Sequence, residues 1–84
     1  MGKRDKQLEQ FRNNPKNVDF DDLVSLLKYH GCVFRKARGS HFTYTHPCFN
    51  ENEEHTIPRQ KPMGVIYVKI AIKNIDRILK NTEG

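Results

Sequence analysis

The hydrophobic pattern changes its period at Gly31, and this change restricts the possible folds more than any other feature of the sequence. Before Gly31, apolar residues recur at helical spacing, and after it apolar and polar residues alternate as they do in a strand. Each kind of element has one apolar face to bury, so the pattern predicts a helix packed against a sheet. With 84 residues, the chain has room for a single two-layer domain. Barrels, multidomain enzymes and deep cavities for a bulky cofactor are excluded, and we expect no cofactor.

The segment before the change predicts a helix over residues 19–30. Asp19 is suited to the N-cap, and Val18 is placed to pack against Leu23. Gly31 is a natural stop at the other end of the helix. The apolar stripe has the spacing i, i+3, i+4, i+7 and consists of Phe20, Leu23, Val24 and Leu27.

The segments after the change predict three antiparallel strands. Residues 32–37 and 41–46 are separated by a turn at residues 38–40 and therefore predict a hairpin. An acidic, solvated loop over residues 50–54 leads to a short third strand at residues 55–58. The aromatic and threonine content of the second strand is typical of a sheet with one buried face.

The alternation also predicts which side chains face solvent. Phe42 and Tyr44 alternate as core residues do, which favours burial over base stacking. The side chains sent to the opposite, open face are those of His41, Thr43 and Thr45. If Phe34 also faces the core, Arg35 shares that open face with His41.

The last apolar segment, residues 66–80, carries two conflicting signals. Its β-branched residues favour a strand, but its helical stripe is too long for an ordinary strand, so we predict a helix. The stripe consists of Val68, Ala71, Ile72, Ile75, Ile78 and Leu79. The predicted fold is therefore α+β, with a small three-stranded antiparallel sheet and both helices on one face, in the order α-β-β-β-α. We predict a basic extension over residues 1–17 that includes a short helix at 4–12, one domain over 18–80 and a flexible tail over 81–84.

The charge balance favours an anionic partner such as nucleic acid. Fifteen basic residues against ten acidic ones give a formal net charge of +5 and a pI near 9.4. Residues 32–47 contain three basic residues and no acidic one, whereas acidic residues cluster at positions 19–22 and 51–54. The stretch before and after residue 38 is thus the strongest candidate for a surface that binds phosphates.

The sequence contains no segment expected to enter a membrane. No apolar run approaches the roughly 20 residues that span a bilayer, and the N-terminus lacks the apolar stretch of a signal peptide. We therefore expect a cytoplasmic protein without membrane contact. In that compartment Cys32 and Cys48 are expected to be reduced thiols.

Three motifs together resemble the HicA family of bacterial toxin–antitoxin modules. They are LLKYHGCVFRKARGSHFTYTHP, TIPRQKP and IYVKIAIKNI, and the likeness extends from Leu8 to Leu79. Its most specific feature is Gly-Ser-His between two predicted strands. The resemblance implies a fold similar to the double-stranded RNA-binding domain and an mRNA interferase activity with His41 as the catalytic histidine. It also implies a HicB-type antitoxin that blocks the toxin by direct binding.

The chemistry of these residue types agrees with that implication. Cleaving RNA without a metal requires a group that takes the proton of the 2′-hydroxyl or protonates the leaving 5′-oxygen, and imidazole titrates near neutrality. Gly39 allows the turn a positive φ, so that backbone N–H groups can approach a phosphate, and Ser40 adds a donor. The candidate cations for the phosphorane and the RNA backbone are Arg35, Lys36, Arg38, Arg59 and Lys61.

Other interpretations of these residues stay open at this point. The domain could be a non-catalytic RNA-binding module in which His41 is incidental, or a protein-interaction domain that uses the open face or an edge strand. The basic cluster also suits an edge strand protected against aggregation. Zinc-ligand types occur at His41, His46, Cys48 and His55, but their spacing lacks a paired motif and alternation separates the first two, so we expect no metal.

Overall fold

The computed structural model describes residues 2–83 and confirms the predicted α+β class. The helices are α1 (Lys3–Asn13), α2 (Phe20–Tyr29) and α3 (Val65–Glu83), and the strands are β1 (Val33–Arg38), β2 (His41–Thr45) and β3 (His55–Pro58). The strands form one antiparallel sheet in the order β1-β2-β3. Side chains from the helices and from one face of β2 and β3 share a single core, which leaves the other face of the sheet open.

Helix α2 begins and ends where its sequence predicts. Asp19 is the N-cap residue with an extended backbone, although its carboxylate makes no capping hydrogen bond. Val18 is buried, as is Leu23, and the carbonyl of Val18 accepts the N–H of Met63 at 2.9 Å. This bond ties the start of α2 to the segment before α3. Gly31 follows the helix with φ of +93°, a conformation that favours glycine.

Helix α3 confirms the helix that the spacing of the apolar residues predicts, and not the strand that the β-branched residues favour. Its buried residues are Val68, Ala71, Ile72, Ile75 and Ile78. Burial of this stripe outweighs the small loss of helix propensity at β-branched positions. The helix continues to Glu83, so residues 81–83 of the predicted tail are helical, and residue 84 lies outside the described residues. Within residues 2–83, no helix combines the length and the apolar composition needed to cross a membrane.

The β1–β2 hairpin closes on a two-residue turn. Arg38 and His41 are paired across the strands, and Gly39 and Ser40 form the turn between them. Gly39 has φ of +60°, a conformation that favours glycine. The carbonyl of Ser40 accepts the N–H of Arg59 at 2.6 Å, so the turn is joined to the end of β3.

The predicted N-terminal helix is confirmed as α1, and it packs on α2 and α3. Leu8 is buried in the common core, and Phe11 is packed against that core. The guanidinium of Arg12 donates two hydrogen bonds to the carboxylate of Asp76 on α3, at 2.6 and 2.7 Å. This bidentate pair holds the pKa of Asp76 below its ordinary value. Helix α1 is therefore anchored by a polar contact as well as by its apolar residues.

Candidate nucleic-acid interface

A shallow depression lies on the open face of the sheet. Its volume is about 420 Å³, and it is lined by Lys36, Ala37, Arg38, His41, Thr43 and Thr56. All three strands contribute to it, so its shape depends on their register and on no single segment. The alternation in β2 places Tyr44 in the core and its neighbours His41 and Thr43 on this face, as predicted.

His41 is the first residue of β2, and its side chain is exposed. It is paired with Arg38 on β1 and with Pro58 on β3. Residues paired in this way have Cβ atoms about 4.5–5.5 Å apart, so the two side chains leave the sheet next to each other, and both line the depression. Beside them, a Cβ placed on Gly39 would have no atom within 4 Å. The turn therefore leaves free space for a phosphate next to His41.

Two threonine hydroxyls form the floor of the depression. Thr43 is only 5% exposed although it lies on the open face. Its Oγ1 is 2.9 Å from Oγ1 of Thr56, the residue paired with it on β3. Because the two hydroxyls satisfy each other, the floor stays polar and ordered beneath the basic side chains.

A β-bulge places two neighbouring basic residues on the same side of the sheet. The register shifts between Phe34 and Lys36, so that Phe34 is paired with Tyr44 and Lys36 with Thr43. Arg35 is the additional residue, and both it and Lys36 line a polar depression next to Thr45. The prediction that Arg35 shares the open face with His41 agrees with this arrangement. The bulge brings Lys36 to that face as well, which strict alternation would not do.

The basic residues of β1 differ in whether a carboxylate already binds them. Arg35 Nε lies 2.7 Å from one carboxylate oxygen of Glu54, and Lys36 Nζ lies 4.0 Å from the other. Arg38 has no carboxylate partner among the described residues. The guanidinium nearest to His41 is thus the one that is free to bind an anion.

The structure does not bring Arg59 and Lys61 into the depression around His41. Both line a different depression near the start of α2, together with Asp19 and Asp21. The guanidinium of Arg59 lies over the ring of Phe20, with Cζ 5.7 Å from the ring centroid. These two cations adjoin acidic residues, and only the backbone of Arg59 approaches the Gly39–Ser40 turn.

His46 is held in a structural position at the end of β2. Its Nδ1 accepts the N–H of Cys48 at 3.0 Å, so Nε2 carries the proton and donates to the carbonyl of His30, also at 3.0 Å. Both ring nitrogens are therefore occupied. The ring connects the segment after β2 to the end of α2.

His55 lies on the opposite face of the sheet from His41. It is buried and paired with Tyr44, and neither ring nitrogen has a hydrogen-bond partner among the described residues. Burial lowers its pKa from the ordinary value, so the ring is neutral in the folded protein. Within residues 2–83, no group of three or more His, Cys, Asp or Glu residues is placed to hold a metal ion.

Cys32 and Cys48 are free thiols. Burial, together with the nearby Cys48, raises the pKa of the Cys32 thiol to about 11. Cys32 is therefore protonated at neutral pH and is a poor nucleophile. Neither thiol lines the depression around His41.

The loop between β2 and β3 has an ionic role that the sequence pattern does not predict. The sequence predicts a solvated loop at residues 50–54, but Glu53 accepts two hydrogen bonds from Arg77 on α3, at 2.5 and 2.7 Å, and Glu54 forms ion pairs with the β1 cations. The pKa of Glu53 is lowered to about 2, chiefly by Arg77. The sequence did contain one indication of these ion pairs. The acidic cluster at residues 51–54 is separated from the basic cluster at residues 35–38 by a single strand.

Comparison of the chain with known protein families, curated proteins and solved structures finds no match.

Proposed function

We propose that this protein is an endoribonuclease that cleaves messenger RNA, or other single-stranded RNA, at the depression around His41. The observation that carries the proposal is the cross-strand pair of His41 and Arg38, both exposed and beside an open turn. An imidazole can transfer a proton near neutral pH, and an unpaired guanidinium beside it can bind the phosphate undergoing attack. The resemblance of the motif around Gly39 and Ser40 to the HicA toxins supports the same assignment.

The proposed reaction uses the 2′-hydroxyl of the RNA as the nucleophile. Its oxygen forms a bond to phosphorus while the bond from phosphorus to the 5′-oxygen breaks. His41 takes the proton of the 2′-hydroxyl or gives a proton to the leaving 5′-oxygen, and solvent water makes the other of the two proton transfers. Arg38 stabilises the negative charge that develops on the equatorial oxygens. Neither step requires a metal ion or a cofactor.

We further propose that an acidic protein partner restrains the enzyme by covering this face, as the resemblance to HicA toxins implies for a HicB-type antitoxin. The open sheet face is basic, and complementary charge steers and orients such a partner. Hydrogen exchange on the complex tests this. Residues 38–46 are expected to gain protection, and protection confined to the outer surfaces of the helices would contradict direct occlusion.

The experiment that tests the catalytic proposal compares His41→Ala and His41→Asn with the wild-type protein. His41 is exposed, so both variants should keep their free energy of unfolding within about 0.5 kcal/mol. RNA binding should persist, because the basic side chains remain. Cleavage in the presence of EDTA should fall by about 100-fold or more, the usual contribution of a positioned general acid or base.

Other outcomes of this experiment select among the alternatives. A His41→Asn variant that still cleaves at the wild-type rate contradicts the role of His41. RNA binding by the wild-type protein with no cleavage identifies a non-catalytic RNA-binding module. Loss of wild-type cleavage in EDTA shows that a metal ion is required, and the proposed metal-free reaction is then wrong.

A further inference from the structure

We propose that Arg35 and Lys36 form a second phosphate-binding subsite, that the carboxylate of Glu54 occupies it in the free protein, and that a phosphate of bound RNA displaces Glu54. This inference rests on the proposed function, since it assigns a second contact to the same RNA. It adds a second phosphate contact next to the one at His41 and a competitor that belongs to the protein itself.

Glu54 forms ion pairs with both cations. One carboxylate oxygen lies 2.7 Å from Nε of Arg35, and the other lies 4.0 Å from Nζ of Lys36. Carboxylate and phosphate oxygens are attracted to guanidinium and ammonium groups by the same electrostatic interaction. A position that holds one of these anions between two cations is therefore suited to the other.

The fold constructs this position from elements on both sides of β2. The bulge in β1 supplies two consecutive basic residues on one side of the sheet. Glu54 directly precedes β3, whose first residue, His55, is paired with Tyr44. Glu54 is thus level with Thr45 and reaches across β2 to β1. The same polar depression is lined by Arg35, Lys36, Thr45 and Glu54.

The subsite and the proposed catalytic pair lie along the same strand. Thr45, beside the subsite, is four residues from His41 on β2, which corresponds to roughly 13 Å at the rise of a strand. Both positions are on the open face, and Lys36, which is paired with Thr43, lies between them and lines both depressions. A single RNA strand that follows β2 can therefore place one phosphate at His41 and a later one at Arg35 and Lys36.

The contact made by Glu54 is weak enough to be exchanged. The side chains of Arg35 and Lys36 are 60% and 65% exposed, and that of Glu54 is 29% exposed. Ion pairs in such positions contribute little, because water and salt screen them. Glu54 therefore lowers the affinity for RNA without preventing binding. An ordinary surface ion pair with no functional role would have the same geometry, and the experiment separates the two.

The experiment compares Glu54→Gln with Glu51→Gln. Both substitutions remove one negative charge from the same loop and the same depression, but Glu51 has no ion-pair partner among the described residues. Binding of a labelled single-stranded RNA oligonucleotide is measured at about 0.15 M salt, where exposed charges more than about 8 Å away are largely screened. The His41→Asn background prevents cleavage during the measurement.

We expect Glu54→Gln to bind RNA at least about threefold more tightly, because it no longer competes for the two cations. The RNA affinity of Glu51→Gln should stay within about 1.5-fold of that of the parent protein, because this substitution changes only the screened, long-range electrostatic potential. In a protein that also carries Arg35→Ala and Lys36→Ala, the gain from Glu54→Gln should disappear. Thermal unfolding of each variant verifies that the fold is retained.

Equal gains from the two glutamate substitutions would overturn the subsite, as would a loss of affinity in Glu54→Gln. Cleavage by the wild-type protein, measured in parallel, tests the proposed function separately. A gain in Glu54→Gln without wild-type cleavage would retain the subsite and reject the enzyme. Cleavage by the wild-type protein without a gain of RNA affinity in Glu54→Gln would retain the enzyme and reject the subsite. Absence of RNA binding by every variant would reject both the enzyme and the subsite.

Discussion

The imidazole of His46 lies directly against the backbone of Gly31, so that a Cβ at Gly31 would be 3.0 Å from Nε2 of His46. That nitrogen is already bonded to the carbonyl of His30. The ring cannot move away without breaking this bond. The glycine that ends α2 is therefore required by a contact from the end of β2 as well as by its own φ of +93°.

The first prediction compares two glycines that both have positive φ. Gly31→Ala meets the strain of a left-handed residue and the contact with His46, whereas Gly39→Ala, at φ of +60°, meets no atom within 4 Å. The left-handed conformation alone costs about 1–2 kcal/mol. We expect Gly39→Ala to lower the free energy of unfolding by about that amount, and Gly31→Ala to lower it by at least about 1 kcal/mol more. Equal losses of the free energy of unfolding, measured by chemical denaturation, would show that the His46 ring moves aside without cost.

The second prediction concerns Arg38, the free cation beside His41. Replacement by Gln removes the charge that stabilises the phosphorane, and single-turnover cleavage should fall by about 100-fold. Lys28→Gln removes the same charge from the last turn of α2 and serves as the matched control, for which we expect a near wild-type rate. Equal effects of the two substitutions on the cleavage rate would show that Arg38 acts only through the overall positive charge of the protein.

The third prediction concerns the dependence of RNA affinity on salt. Combined substitution of Arg35, Lys36 and Arg38 by Ala removes up to three phosphate contacts. The slope of log affinity against log salt concentration should then flatten by about 2, at roughly 0.7 per contact on a single strand. The control is a triple alanine variant of the exposed lysines of α3, Lys69, Lys73 and Lys80. If the control flattens the slope as much, the RNA surface lies elsewhere.

The fourth prediction concerns the pH dependence of stability. Burial lowers the pKa values of His55 and His30, so the folded state binds fewer protons than the unfolded state below the ordinary value of 6.5. The contribution of these two histidines to the free energy of unfolding should therefore fall as the pH falls through 6.5, and this contribution should become constant below the folded pKa values. The slope for each histidine is at most about 1.4 kcal/mol per pH unit.

His55→Leu isolates the contribution of His55 to that dependence. Leucine suits a buried site facing the core and removes two ring nitrogens that have no hydrogen-bond partner among the described residues. The variant should depend less on pH than the wild-type protein, and at pH 7 it should be as stable or about 1 kcal/mol more stable. Identical slopes in the two proteins, measured by denaturation between pH 5 and 7, would contradict the assignment to His55.

The positions of the helices and strands follow from local patterns in the sequence. The stripe through Leu23 and Leu27 predicted α2, and the stripe through Val68 and Ile75 predicted α3 despite its β-branched residues. Both stripes are buried in the structure. A turn was predicted at residues 38–40, and the structure confirms it at Gly39 and Ser40, whereas Arg38 is the last residue of β1.

The local environment of each basic residue could not be read in the same way. Arg35, Arg38 and Arg59 were equivalent candidates in the sequence. In the structure the first is bound by Glu54, the second stands free beside His41, and the third lies over the ring of Phe20. These differences arise from residues distant in the chain, which periodicity and composition do not connect.

By itself, the sequence determined the elements, their order and the face of β2 that stays open, because periodicity, caps and turn residues act over a few neighbouring positions. Only the tertiary structure decided which charges face one another. The bulge next to Phe34 set the register of β1, and that register brought Lys36 to the open face and the pair of Arg35 and Glu54 together across β2. Ion pairs across a sheet depend on register to within one residue, and a one-residue shift sends a side chain to the other face.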